Sequence, residues 1–448
     1  MKKAISLLAA VCLLLCGCVA IDVEHPTTEA PTQSPTEATL PEVKDHAALA
    51  LRMDSDSVKT EATVKTYIDG DTVHFHVSND VVENGVLKAR FLGINTPEST
   101  GKIEEYGKAA SAFTRQKLTE ATSIILESDD DRWNRDSTGD RYLVWVWYRT
   151  AEDQPYRNLN IEILQEGLAI ANSSANNRYG DVCMAAINQA KAHKLKVYSG
   201  QPDPDFFYGE AVELTLRELR TNVADYNGMK VAFSGIITMN DGGSIYIEDF
   251  DEETGMLYGI SVYYGYGLSG AGLDILTVGN ESRIVGTVQY YEVGGTYQVS
   301  GLSYRQMKPD DPSNIQKISS GHSPAYLLTD ADTFLNKTVS VETEEGTAQY
   351  PYAALAMNTS IEMQGLQVQS IYTTDSEDSS SKGAMTLTCL VDGMTVLVRT
   401  AVLYDANNTL VTEDAYLGKT IDVKGIVDYY DGQYQIKVFS ANGITVHN

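Results

Sequence analysis

Cysteine is scarce in this chain. There are five in 448 residues, and Cys12, Cys16 and Cys18 fall at the extreme N-terminal end. A disulfide framework and a zinc-type cysteine and histidine cluster are thereby excluded. Cys183 and Cys389 stand alone, far apart in sequence, and are expected to pack as small apolar residues. Long apolar runs are also lacking; the one that stands out, residues 4–15, is short for a bilayer span. Positive charge is in deficit as well, with 34 Lys and Arg against 61 Asp and Glu, a net charge of −27. The deficit is uneven: 16 basic residues face 20 acidic ones between 60 and 200, but 13 face 33 from 201 onward. An overall basic surface is excluded, although a locally balanced one is present between 60 and 200. For the acidic excess three readings stay open: solubility, weakened attraction of anions, or a tail that binds something other than an anion.

The N-terminal end reads as an address. Lys2 and Lys3 precede the apolar run, and Leu15, Cys16, Gly17 and Cys18 close it. The pattern is that of a secretory signal over residues 1–18, and its ending resembles a bacterial lipobox with Cys18 as the lipidated residue. The expected location is extracytoplasmic, anchored by lipid to the cell membrane. Residues 19–58 are expected to form a disordered linker, because Thr, Pro, Glu and Ala dominate its first half and cannot bury enough apolar surface to fold.

What is present is concentrated between Asp69 and Glu98. Asp69, Gly70 and Asp71 form a turn after an alternating strand pattern, and Arg90, Asn95, Thr96, Pro97 and Glu98 follow in one strand and its loop. Asp71, the Asn95 amide and the Thr96 carbonyl can offer hard oxygen donors to Ca²⁺. Asp69 either assists through a water or does turn chemistry alone. Pro97 restricts the loop ahead of Glu98, a carboxylate suited to taking a proton from water. Arg90 is a forked cation suited to an anionic phosphoryl oxygen. Phosphodiester hydrolysis is the chemistry these residue types fit.

The same blocks resemble the staphylococcal nuclease (thermonuclease) family. Further blocks keep the order: Tyr106, Gly107 and Phe113; Asp140, Arg141, Trp145 and Trp147; Gly167, Leu168 and Ala169; Leu195, Lys196 and Tyr198. The resemblance implies Glu98 as general base, Arg90 and Arg141 as the two phosphate-binding arginines, and Asp71 and Thr96 as metal ligands. Asn95 departs from the family's aspartate and removes one negative charge. Asn172, Ser173 and Ser174 stand where the family has stacking tyrosines. Arg141 follows Gly139 and Asp140 and has Arg135 nearby, a local departure. The resemblance implies a Ca²⁺-dependent endonuclease acting on DNA and RNA and leaving 3′-phosphates. A capturing protein that binds nucleic acid or cell wall with little or no cleavage is the alternative, and the chain is expected to be a monomer.

The expected fold is mainly β with α. A five-stranded oligonucleotide/oligosaccharide-binding (OB) barrel with three helices spans 59–202. Two β-rich, OB-like domains follow, at 205–308 and 331–448, joined by a link over 309–330. The two tail units share an ending: Gly286, Tyr290, Tyr291, Tyr297 and Gln298 line up with Gly425, Tyr429, Tyr430, Tyr434 and Gln435. An immunoglobulin-like sandwich is the competing reading of the tail. Its tyrosines are expected to make cross-strand pairs, and a cell-wall ligand is the partner considered for these modules.

Overall fold

A computed structural model describes residue 40 and residues 42–447, apart from 266, 293, 344, 345, 377, 378 and 380. The signal segment, Cys18 and most of the Thr/Pro-rich stretch lie outside the described residues.

Three closed barrels follow one another. The first contains β1 (Lys59–Asp69), β2 (Thr72–His76), β3 (Val86–Phe91), β4 (Ser123–Glu127) and β5 (Tyr142–Arg149). The second contains β6 (Lys230–Asn240), β7 (Ser244–Asp251), β8 (Met256–Tyr263), β9 (Glu281–Tyr291) and β10 (Thr296–Ser300). The third contains β11 (Ser360–Thr373), β12 (Met385–Val391), β13 (Met394–Thr400), β14 (Thr420–Tyr430) and β15 (Gln433–Val438). In each, the first three strands form a meander, the fifth pairs parallel with the third, and the fourth closes on the first. This is OB topology repeated three times, and it excludes the sandwich for the tail.

The pattern of apolar residues explains the first barrel. Val73 and Phe75 on β2, and Leu87, Ala89 and Phe91 on β3, alternate inward and are buried. On β5, Val144 to Tyr148 are all buried, because one face lines the barrel and the other is covered by helices. Those helices are α1 (Gly107–Thr119), α2 (Leu159–Gln165) and α3 (Gly180–Ala192). The buried stripe of α1 is Gly107, Ala110, Thr114 and Leu118; Ala109 and Phe113 are half-buried beside it. Asp181 is not the N-cap of α3. It sits in the first turn of α3 after Tyr179, where a carboxylate still meets the positive end of the helix.

The linker ends earlier than expected. Residues 42–58 lie against the first barrel: Lys44 N–H donates to Gln189 (2.7 Å), Asp45 pairs with Arg157 (2.7 Å), and Ala47 is fully buried. The pairings come from residues more than a hundred positions away, so local composition gave no sign of them. Within the expected 309–330 link, Gln316–Ser319 pairs with β9 as an added edge strand, and Ile315 is buried.

Tail repetition extends to particular contacts. Tyr290 faces Tyr297, and Tyr429 faces Tyr434, each pair with ring centroids 5.0 Å apart. Gly286 and Gly425 have no room for a side chain: a Cβ would lie 2.7 Å from Ser300 O and 2.6 Å from Lys437 O, respectively. Cys183 and Cys389 are both buried and free. The second and third barrels share one apolar core.

Candidate active site

The end of β1, the end of β3 and the loop after β3 meet at one rim of the first barrel. Gly70 permits the approach. A Cβ there would lie 2.9 Å from both Ala110 Cβ and Thr96 Oγ1, and Thr114 Oγ1 donates to Gly70 O (2.5 Å). Asn95 is held by a short ladder in which Ile94–Asn95 pairs with Ile170–Ala171.

Asp71 is fully buried, and both of its carboxylate oxygens are engaged. Oδ1 accepts from Arg90 and from Thr72 Oγ1 (3.1 Å); Oδ2 accepts from the Thr96 backbone N–H at 2.8 Å. The second arm of the Arg90 fork reaches Asn95 Oδ1 at 2.5 Å. The guanidinium therefore bridges the carboxylate and the amide oxygen that the sequence offers as cation ligands. Burial pushes the Asp71 carboxyl up from the usual range, and the Arg90 charge and the Thr96 N–H oppose it.

Asp69 does the turn chemistry considered for it, but not that alone. Its Oδ1 accepts from Gly70 N–H (2.7 Å), closing the turn, and from Ser99 Oγ (2.7 Å), tying the turn to the loop that carries Glu98. Glu98 is exposed as a residue, yet its carboxyl is crowded. Partial burial, a hydrogen bond with Asp69 and the negative charges of Asp69 and Asp71 push it up to about 7, with Arg90 pulling the other way. A carboxyl so placed exchanges a proton near neutrality, as a general base must.

Arg141 is brought near but is not part of this cluster. Tyr142 pairs with Ala89 and Leu143 with Arg90, so Arg141 precedes the ladder by one residue and lies two residues before the partner of Arg90. Its guanidinium is tied instead to Asp136 of its own loop, at 2.7 Å through both Nε and Nη2. Arg135 stacks on Tyr142, 4.4 Å from the ring centre, and donates to the Tyr142 hydroxyl.

Among the described residues, His, Cys, Asp and Glu nowhere form a group of three or more able to hold a metal ion. A metal held here would rest on a mixed set: the Asp71 carboxylate, the Asn95 amide oxygen and the Thr96 carbonyl. These are hard oxygen donors of the kind Ca²⁺ takes. Thr96 Oγ1, in the same cluster, is a buried oxygen that no hydrogen bond satisfies. The residues present fit a hard divalent cation.

A cleft of about 780 Å³ opens beside Asn95 and Pro97, with Tyr106, Phe206 and Tyr208 among its walls. Tyr179 packs edge-on against Trp145 and Trp147 and donates to Glu127 (2.9 Å). Tyr106 lines the cleft while its hydroxyl bonds Gln201 O at 3.0 Å. Ser99, Phe206 and Tyr208 were not singled out by the sequence. Ser99 lies beside the key motif, but a lone serine carries no signal of its partner thirty residues back.

Residues 88–199 match the family model described as staphylococcal nuclease homologue. The chain is 33% identical over 139 residues to the thermonuclease of Staphylococcus intermedius, a match covering 30% of this chain and 74% of that protein. The loop carrying Glu98, the arginine on β3 and the helices packed behind them all fall within the matched stretch. By its first barrel, the chain belongs to the staphylococcal nuclease family.

Proposed function

We propose that the first barrel is a Ca²⁺-dependent endonuclease that hydrolyses phosphodiester bonds of DNA and RNA and leaves 3′-phosphate ends. The observation that carries this reading is the convergence of Asp71, Arg90, Asn95 and Thr96 in one bonded cluster, with a Glu98 carboxyl poised at about 7 at its rim. Asp71, Asn95 and Thr96 would hold the cation, which when bound supplies charge stabilisation at the phosphoryl oxygens. Arg90 can leave Asn95 and turn its fork to the same oxygens. Glu98 takes the proton of the attacking water. Arg141 joins only if the bond to Asp136 opens. By the N-terminal pattern, the enzyme acts outside the cytoplasm on a lipid anchor.

Purified protein incubated with plasmid and with single-stranded RNA, in millimolar Ca²⁺ or in chelator, tests the reading. Fragments carrying 3′-phosphates, formed only with Ca²⁺, are the expected result. Tight retention of uncut plasmid in Ca²⁺ would overturn it in favour of a capturing protein. That second reading draws on Asn95, where an amide replaces a charge.

The Asn95→Asp variant is expected to bind Ca²⁺ more tightly in calorimetry. A doubly charged ion gains more from an added carboxylate than the singly charged guanidinium competing for it. An unaltered Ca²⁺ affinity would remove Asn95 from the ligand set.

A further inference from the structure

Glu98 opens a loop whose two ends are fastened to each other and whose apex is fastened elsewhere. At its base, the Glu104 N–H donates to Glu98 O at 2.9 Å, and α1 starts so close that a Cβ on Gly107 would lie 2.1 Å from Glu98 O. The apex is Gly101. It touches the second barrel, nearly two hundred residues away in sequence. Gly101 N–H donates to Gln289 Oε1 (3.1 Å), and Gly101 O accepts from Gln289 Nε2 (3.0 Å) and from Ser300 Oγ (3.0 Å). Gln289 thus answers both backbone groups of one residue, as a neighbouring strand would. Gln289 is 6% exposed and Ser300 is fully buried. Gly301 completes the seat, since a Cβ there would lie 3.1 Å from Gly101 O. Arg115 of α1 pairs with Glu292 close by.

Internal repetition supplies a comparison within the chain. Gln289 lies three residues after Gly286, and Asp428 occupies the same place after Gly425 in the third barrel. There the side chain is satisfied across its own hairpin, by Gln435 Nε2 at 2.8 Å. The corresponding glutamine of the second barrel turns outward to another domain's loop. Repetition of the fold alone does not require this.

We propose that the second barrel is a working part of the nuclease site, with Gln289 and Ser300 as positioning residues that hold the Glu98 loop in its productive conformation. The proposal rests on the reading of Glu98 as base. Residues Lys102 to Tyr106 of the same segment line the cleft beside Asn95, so the clamp also fixes one wall of the path a substrate strand would follow. Small displacements of a catalytic group cost rate steeply, up to about a hundredfold for an ångström. A buried glutamine that anchors two backbone groups also removes much of the loop's freedom.

The test uses the full chain. Gln289→Ala is expected to lower kcat by about ten- to a hundredfold, with the affinity for DNA measured in chelator little changed. Amide exchange at Gly101 and its neighbours should accelerate while the second-barrel strands stay protected. Ser300→Ala, which removes a single bond, should show the same pattern more weakly and covers the case in which Gln289→Ala fails to fold. Asp428→Ala, at the matching place in the third barrel, should leave both the rate and the exchange of the loop as they were. Unchanged kcat and unchanged loop exchange in both Gln289→Ala and Ser300→Ala would overturn the proposal. So would loss of protection throughout the second barrel, which would mark a merely structural role. Glu98→Gln in the same assay separates the two readings: if it is inactive while Gln289→Ala is fully active, the clamp fails alone; if it keeps full activity, the base assignment itself has failed.

Discussion

Replacing Glu98 by Gln is expected to cut turnover by about a hundred- to ten-thousandfold, while the affinity for a DNA duplex at fixed Ca²⁺ stays within a few-fold. An amide keeps the size of the side chain and one acceptor oxygen but cannot take a proton from water. Binding is expected to survive because Glu98 stands at the rim: it contributes no bond to Asp71 or Arg90, which hold the phosphate-binding end of the site together. The pH profile gives a second readout. The carboxyl, raised to about 7 by burial and by Asp69 and Asp71, must be ionised to act, so activity should rise with pH. A bound cation adds positive charge and moves the limb downward. The rising limb of kcat/KM should therefore have its midpoint at or below about 7 and should vanish in Glu98→Gln. A variant that cleaves at near-normal rate with its limb intact would assign the proton transfer to another group.

How much of this was legible in the chain depends on the distance over which each contact is made. Asp71, Arg90, Asn95 and Thr96 lie in two short segments joined by a hairpin, and strand alternation with the Asp69–Gly70 turn is enough to place them at one rim. The repeat of Gly286 and Tyr290 in Gly425 and Tyr429 likewise carried the fold of both tail units, because a glycine pressed against the next strand and a cross-strand tyrosine pair are properties of one hairpin. The docking of residues 42–58 on the first barrel unit and the hold of Gln289 on Gly101 leave no local trace. A glutamine in an alternating strand looks the same whether its amide meets water or the backbone of another domain. Arg141 lies between these cases. The motif brought its backbone beside β3, but the choice of Asp136 as partner is made inside a loop with several acidic residues within reach, and nothing local singles one of them out.

Arg90→Gln should move cation affinity and reaction rate in opposite directions. The Arg90 side chain is 14% exposed and that of Asp71 1%, so the variant leaves a buried carboxylate with hydrogen bonds from Thr72 and Thr96 and no countercharge. Loss of one partner from a buried pair typically destabilises by about 3–5 kcal/mol. In chelator the variant should therefore melt well below the parent. Ca²⁺ restores a countercharge at the same oxygens, and an ion at a hundred times its Kd contributes about 2.7 kcal/mol. Because the guanidinium no longer competes for Asp71 Oδ1 and Asn95 Oδ1, Ca²⁺ should bind the variant at least as tightly as the parent and raise its melting temperature by more. Cleavage should nonetheless fall by about a hundred- to a thousandfold, the usual cost of removing a preorganised donor from a developing oxyanion. Calorimetric titration with Ca²⁺, thermal melts with and without it, and plasmid cleavage on the same preparation decide the matter. If Ca²⁺ binding weakens along with the rate, Arg90 supports the cation rather than competing with it, and the bridge from Asp71 to Asn95 is a scaffold for the metal site.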